Sequence, residues 1–277
     1  MRQRPWLFIL IPLLLHSAEA LAWGLATHLY FSQLLLWAVP LLDPRLRAAA
    51  KRLPHLVLAG SCLPDLALVG RSAKTEAFED SHHWEQAAGL LARAESDEAR
   101  AIALGYASHL FVDIIAHNHF VPAHERMWLK LPMVTHAMSE WAMDAHIAHH
   151  LFAMPPRLLR DHHAILAQYI TAEFDCDIAE AERALVYLRH ATAFLYGSRA
   201  HRMLYVGAAS LDRHLTRRFD YYVTETAARL PQINRLLVGE APCWRADFAC
   251  PERTGHLKHL SRDEARGALP LPVSLFA

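Results

Sequence analysis

Two polar spacings set in apolar sequence constrain this chain more than any other feature. In "YASHLFVDIIAHNHF", residues 106–120, His109 and Asp113 stand four apart, and in "THAMSEWAMD", residues 135–144, His136 and Glu140 repeat the spacing. On an α-helix, positions i and i+4 lie one above the other on one face. Both segments are apolar around these pairs, so each reads as a core helix carrying polar groups where burial is expected. A buried carboxylate without compensation costs on the order of several kcal/mol. Helical bundles resolve this conflict by placing such pairs on separate helices around metal ions.

Composition agrees with a helical core that holds metal. Apolar residues make up 53% of the 277, glycine is scarce at 10, and Ala and Leu dominate over β-branched runs, a bias toward helix. The 20 histidines are the outlier, and histidine is the commonest metal ligand. Lys plus Arg equals Asp plus Glu at 28 each, so bulk charge gives no reason to expect a nucleic-acid partner, and no sequence-specific one is expected.

The pattern predicts an all-α chain: helices near 26–38, 44–60, 83–95, 97–116, 132–152, 157–173, 178–197 and 209–236. Residues 70–82 read as a loop, "HNHFVP" as the break that ends the 97–116 helix, and the tail from 240 as irregular. The expected architecture is a single all-α, multi-helix domain, residues 23–277, with a metal site between its core helices. Residues 1–22 read as a signal peptide. Arg2 and Arg4 precede an apolar run, Trp6 to Leu15, too short to span a bilayer, and Ala20 and Ala22 fit the small-residue cleavage rule. Cleavage after Ala22 predicts a secreted or periplasmic protein beginning at Trp23. Of four cysteines, Cys243 and Cys250 flank a short loop and suggest a local disulfide, while Cys62 and Cys176 could pair or remain thiols.

Further candidate ligands lie upstream. Asp65 follows a proline in "LAGSCLPDLALVG", and His82 and His83 precede Trp84 in "DSHHWEQ". The mature N-terminus adds an α-amine, whose pKa of about 7.7–8.0 lets it give up its proton to a metal near neutral pH. The Trp23 carbonyl can chelate the same ion, and His28 stands nearby in "WGLATH".

This ordered series resembles the bacterial zinc-dependent phospholipase C family, which shares an all-helical fold and trinuclear zinc site with the S1/P1 nucleases. The series is an N-terminal Trp, then His, Pro-Asp, His-aromatic, His-x3-Asp-x5-His and His-x3-Glu. The resemblance implies one zinc on the amine and carbonyl of Trp23 with His28 and Asp113. It implies a second on Asp65, His83, His109 and Asp113, with Asp113 as the bridge, and a third on His119, His136 and Glu140. His83 is chosen over His82 because the family's histidine precedes an aromatic residue. The implied reaction is phosphodiester hydrolysis of phospholipid head groups, with Asp65 as the catalytic residue that orients or deprotonates the attacking water. The expected partner is phospholipid, reached by transient contact with a membrane surface. The short spacer from Trp23 to His28 is similar to the nuclease branch, so a single-strand nuclease is the alternative. His136-x3-Glu140 and "CLPDL" are the phospholipase forms. The acidic residue of choline-selective members is absent from the spacer, and oligomeric state is not legible. A different class of reading is an exported, non-catalytic metal-binding protein.

Overall fold

A computed structural model describes residues 24–128, 132–246 and 274–276. The expected leader, Trp23 and Cys250 lie outside the described residues, and with them the proposed cleavage point and the Cys243–Cys250 pairing. Cys62 and Cys176 are free thiols.

Among the described residues the chain is helical, with no strand. Helix α1 spans Leu25–Ala38, α2 Pro44–Arg52 and α3 Pro54–Gly60; a 3-10 turn covers Pro64–Leu68 and a short α4 covers Gly70–Ala73. Then come α5, Trp84–Arg93, and α6, Asp97–Ile115, which runs through a π turn, Ala116–Phe120, into α7, Val121–Met127. Helix α8 is Pro132–Ile147, followed by a 3-10 turn, α9 Pro155–Asp161, α10 His163–Glu173 and α11 Ile178–Gly197. The last elements are α12 Ala200–Leu211, α13 Leu215–Arg229 and, after another 3-10 turn, α14 Ile233–Leu237.

Helix α6 is the axis of the fold. Ser96 caps it by accepting the Ala99 N–H at 3.0 Å, and Asp97 and Glu98 complement its positive end. Every residue from Ala101 to Val121 is buried, so the helix is enclosed on all sides. The helical run Asp97–Met127 is 31 residues long and apolar enough to cross a bilayer, but here it is the core around which the other helices pack. Helices α2, α3, α5 and α1 lie against α6, and α12 lies along α8.

The α3–α6 crossing is a backbone contact. A Cβ on Gly60 would fall 2.3 Å from the Ile102 carbonyl oxygen, and one on Gly105 only 1.9 Å from that of Val57. Two glycines therefore let the helices touch main chain to main chain. On the other side, Ser32 Oγ of α1 sits 3.2 Å from Ser108 Oγ of α6. At the far end of the chain, Cys243 N donates to Leu275 O at 2.9 Å, and the Phe276 ring stacks near Phe111 at 6.4 Å.

Several expected boundaries shift. The 44–60 helix is two helices, because Pro54 removes an amide donor and starts a new element after Leu53. The 209–236 helix is likewise interrupted: α12 ends at Leu211, Asp212 caps the turn by accepting the His214 N–H, and α13 follows. Helix α12 fills a stretch where none was expected before 209. The most consequential shift is at "HNHFVP". The helix does not break there. It relaxes into the π turn, and Pro122 falls in the first turn of α7, where its missing N–H is no loss.

Candidate metal centre

The polar residues of α1, α6 and α8 converge on one buried region. Ser61 follows α3 directly, and its carbonyl oxygen receives the His109 Nδ1 proton at 2.8 Å. A carbonyl can only accept, so the hydrogen is on Nδ1 and the lone pair of Nε2 faces inward. That Nε2 lies 3.1 Å from Asp113 Oδ2. The His28 ring stacks on that of His109 with centroids 3.5 Å apart and planes within 8°, and its Nε2 lies 3.2 Å from the other Asp113 oxygen, Oδ1. His82 Nε2 comes within 3.6 Å of Asp113 Oδ2 and 3.8 Å of Asp65 Oδ1. His117 Nε2 lies 3.8 Å from Asp113 Oδ1.

Asp113 is thus a carboxylate with donors on both sides. Nε2 of His28, His82 and His109 and both Asp113 oxygens are buried and complete no hydrogen bond within the protein. Lone pairs converging on a carboxylate repel one another unless a cation lies among them. On α8, His136 Nε2 approaches Glu140 Oε1 to 2.6 Å, one helical turn away. Among the described residues, potential donors gather into three groups: His28, His109 and Asp113; Asp65, His82 and His109; and His117, His136 and Glu140. All are imidazole or carboxylate with no thiolate, a set that suits zinc and leaves catalytic chemistry open.

Burial sets the electrostatics in the metal-free protein. It drives the Asp65 carboxyl up to about 8, where the nearby charges of Asp113, Glu140 and Asp144 add to the rise and His109 opposes it. Burial also raises Glu140 well above the usual carboxylate range, assisted by Asp113 and Asp144. It pushes His82 and His117 down to about 3, so both imidazoles stay neutral, the form a metal needs. Asp113 moves the other way without a metal: burial opposes its charge, but positive charge on and hydrogen bonds from the His109 and His28 imidazoles, when they carry a proton on Nε2, hold it well below the usual range.

Six of the expected residues, His28, Asp65, His109, Asp113, His136 and Glu140, fall in these groups. Two expected histidines do not. His83 starts α5 from the surface, with a side chain 39% exposed and its Nδ1 3.2 Å from Asp80 Oδ1. It is His82 that turns inward: it lies in the turn closed by the His83 N–H on the Asp80 carbonyl, and His83 takes the extended backbone at the entry to α5. His119 is buried, but its ring meets Trp244 at 4.9 Å. Because the helix continues past Ala116, His117 at i+4 shares the face of Asp113, whereas His119 at i+6 does not. The signal for His117 was present in the sequence as a further spacing of four, Asp113 to His117, in the same apolar segment. Beside it, Asn118 Nδ2 donates to Arg245 O at 2.8 Å, and Trp84 Nε1 donates to Trp244 O at 3.0 Å, so residues 244–245 lie against this edge of the centre. A surface cleft of about 940 Å³ between Arg71, Asp80 and Glu173 includes no residue of the three groups.

The family model for zinc dependent phospholipase C matches residues 27–183, more than half of the chain and all the described donors. The chain belongs to the zinc-dependent phospholipase C family. It is a phospholipase C hydrolase that uses zinc, and its three His/Asp/Glu groups accord with more than one ion. No curated protein and no solved structure matches it.

Proposed function

We propose that the protein is exported, is cleaved after Ala22 and, as a catalytic unit of residues 23–277, hydrolyses membrane phospholipids to diacylglycerol and a phosphorylated head group. The observation that carries this reading is the position of Asp113, whose two oxygens face imidazoles of different donor groups. We assign one zinc to the amine and carbonyl of Trp23 with His28 and Asp113. A second falls to Asp65, His82, His109 and Asp113, and a third to His117, His136 and Glu140. When bound, zinc supplies Lewis acidity toward the phosphoryl oxygens and toward the attacking water.

The chain's own residues do the rest. Asp65 is buried beside His82 and His109, and from there we assign its carboxylate to orient the attacking water and take its proton. The water oxygen forms the new bond to phosphorus as the P–O bond to the glyceryl oxygen breaks, and that oxygen leaves as the diacylglycerol hydroxyl by taking up the proton that Asp65 accepted. His109 is held by Ser61, which fixes the direction of its Nε2. The enclosure of these groups strengthens every interaction they make with the charged phosphodiester. Three Zn²⁺ against Asp65, Asp113 and Glu140 leave a positive excess suited to an anionic substrate. Substrate drawn from a bilayer requires transient contact with the membrane surface.

The test is to incubate zinc-loaded protein beginning at Trp23 with phospholipid vesicles and, separately, with single-stranded DNA. Diacylglycerol release, lost in Asp65→Asn with the fold retained, supports the reading. Cleavage of DNA without diacylglycerol release overturns it in favour of the nuclease branch.

A further inference from the structure

Asp144 is fully buried on α8, one turn beyond Glu140, and none of the donor groups includes it. Its carboxylate reaches across to the start of α1. Oδ1 accepts the Thr27 N–H at 2.9 Å and the Thr27 hydroxyl at 2.7 Å. Oδ2 accepts the Tyr196 hydroxyl at 2.6 Å and, more weakly, the Ala26 N–H at 3.4 Å. Tyr196, on α11, in turn accepts the Ala26 N–H at 3.1 Å. A Cβ on Gly24 would collide with this same carboxylate, at 2.1 Å from Oδ2, so the main chain of residue 24 passes directly over it.

An ionised carboxylate offers about four acceptor sites, and here four donors occupy them. Asp144 is therefore committed to protein groups and is not itself a ligand. What it holds is the first turn of α1, the turn that ends in His28. Its charge is also felt at Asp65 and Glu140, so the clamp sits at the edge of the centre.

We propose that Asp144, with Tyr196 as its partner, is a positioning residue that registers the mature N-terminus against the metal centre. The proposal rests on the reading of Trp23 as a ligand. One residue spans at most about 3.3–3.6 Å, whereas zinc–ligand bonds tolerate only about 0.2 Å. A chain pinned at residues 24–27 can therefore present the amine of the residue just before Gly24, and no other. The clamp acts as a length gauge: it makes a one-residue difference in processing decisive.

The experiment measures zinc per chain and zinc affinity by chelator competition. It uses zinc-equilibrated protein beginning at Trp23, the same protein with one glycine added before Trp23, and Asp144→Asn in both backgrounds. The expected result is that Asp144→Asn weakens one zinc by about 10–100-fold, the range for groups that orient ligands, and leaves the others. Added glycine is expected to remove that same zinc, and Asp144→Asn to cost nothing further in the extended chain. A clamp that only stabilises the fold predicts instead that Asp144→Asn lowers the melting temperature equally in both backgrounds with zinc affinity unchanged, and that result overturns the proposal. If added glycine costs no zinc, Trp23 is not a ligand and both readings fall. If glycine costs one and Asp144→Asn costs none, the assignment to Asp144 alone falls. Should Asp144→Asn not fold, Thr27→Val combined with Tyr196→Phe removes two donors while keeping the carboxylate, and is read by the same criteria.

Discussion

His109 and Asp113 stand one turn apart on α6 with Nε2 and Oδ2 separated by 3.1 Å, yet neither atom completes a hydrogen bond. Both are turned toward space that a cation fits. Asp113 also faces His28, His82 and His117, so its loss reaches more than one donor group. Asp113→Asn should lower kcat/KM by more than about 100-fold, since even groups that merely orient metal ligands are worth 10–100-fold. Metal analysis of the purified variant should find fewer zinc ions per chain than in the parent. An unchanged zinc content would remove Asp113 from the centre.

Two adjacent or near-adjacent histidine pairs allow a controlled comparison. His82→Ala and His117→Ala should lose zinc and turnover. His83→Ala, a substitution near the surface, should stay within about 0.5 kcal/mol of the parent in stability and keep its zinc. His119→Ala, which opens a cavity beside Trp244, should lower the melting temperature while zinc content holds. The reverse pattern of zinc loss would restore the assignment that spacing alone suggests.

Chelation should abolish diacylglycerol release and also lower the melting temperature, because a ligand present at 1,000 times its Kd stabilises by about 4 kcal/mol. Restoring zinc should return both. A non-catalytic zinc protein has a melting temperature to lose but no turnover, so paired calorimetry and activity measurements on one sample distinguish the two.

His124 gives a pH prediction outside the centre. It is buried among Phe120, Trp128, Phe219 and Tyr222, its Nδ1 bonds the Phe120 carbonyl oxygen at 2.7 Å, and burial holds it down to about 4. Between about 4 and 6.5 the unfolded chain binds a proton here that the folded chain refuses. The stabilising contribution of His124 is complete above about 6.5 and declines by about 1.4 kcal/mol per pH unit below it. His124→Phe should abolish this slope. Denaturant unfolding of both proteins with chelator present, at pH 7.5 and pH 4.5, should show the difference between them shifting in favour of the variant by about 2–3 kcal/mol.

Gly105→Ala should couple fold to centre. The added methyl group has no room against Val57 O at 1.9 Å and Ser61 N at 2.8 Å, and overpacking costs about 1–3 kcal/mol or more. Because Ser61 O also orients His109, the variant should bind zinc more weakly than its loss of stability alone explains. A chelator titration compared with a thermal melt separates these effects.

Much of this was legible in the sequence because helical periodicity is local. His109 with Asp113 and His136 with Glu140 announced their shared faces by spacing, and the extent of α11, 178–197, follows from its own capping box at Asp177 and Glu180. What was not legible depends on direction rather than spacing. His82 and His83 both precede Trp84, and only the three-dimensional course of the entry to α5 decides which turns inward. His119 was favoured by the family's His-x3-Asp-x5-His spacing, with "HNHFVP" read as the break that ends the helix. A proline in the first turn of a new segment does not force that ending. Asp144 continues the series His136, Glu140, Asp144 at intervals of four, but its partners lie on α1 and α11, more than 50 residues away in either direction.

The π turn after α6 has a consequence for how relatives of this chain should be aligned. Residues 113–120 contain two histidines but only one helical phase, and phase decides which of them looks toward the carboxylate. An alignment scored on spacer length pairs His119 with the downstream histidine of a His-x3-Asp-x5-His pattern. An alignment scored on angular position around the helix pairs His117 instead, two residues earlier. Between such chains, the same chemical role can pass from one position to another without any change in the inventory of residues.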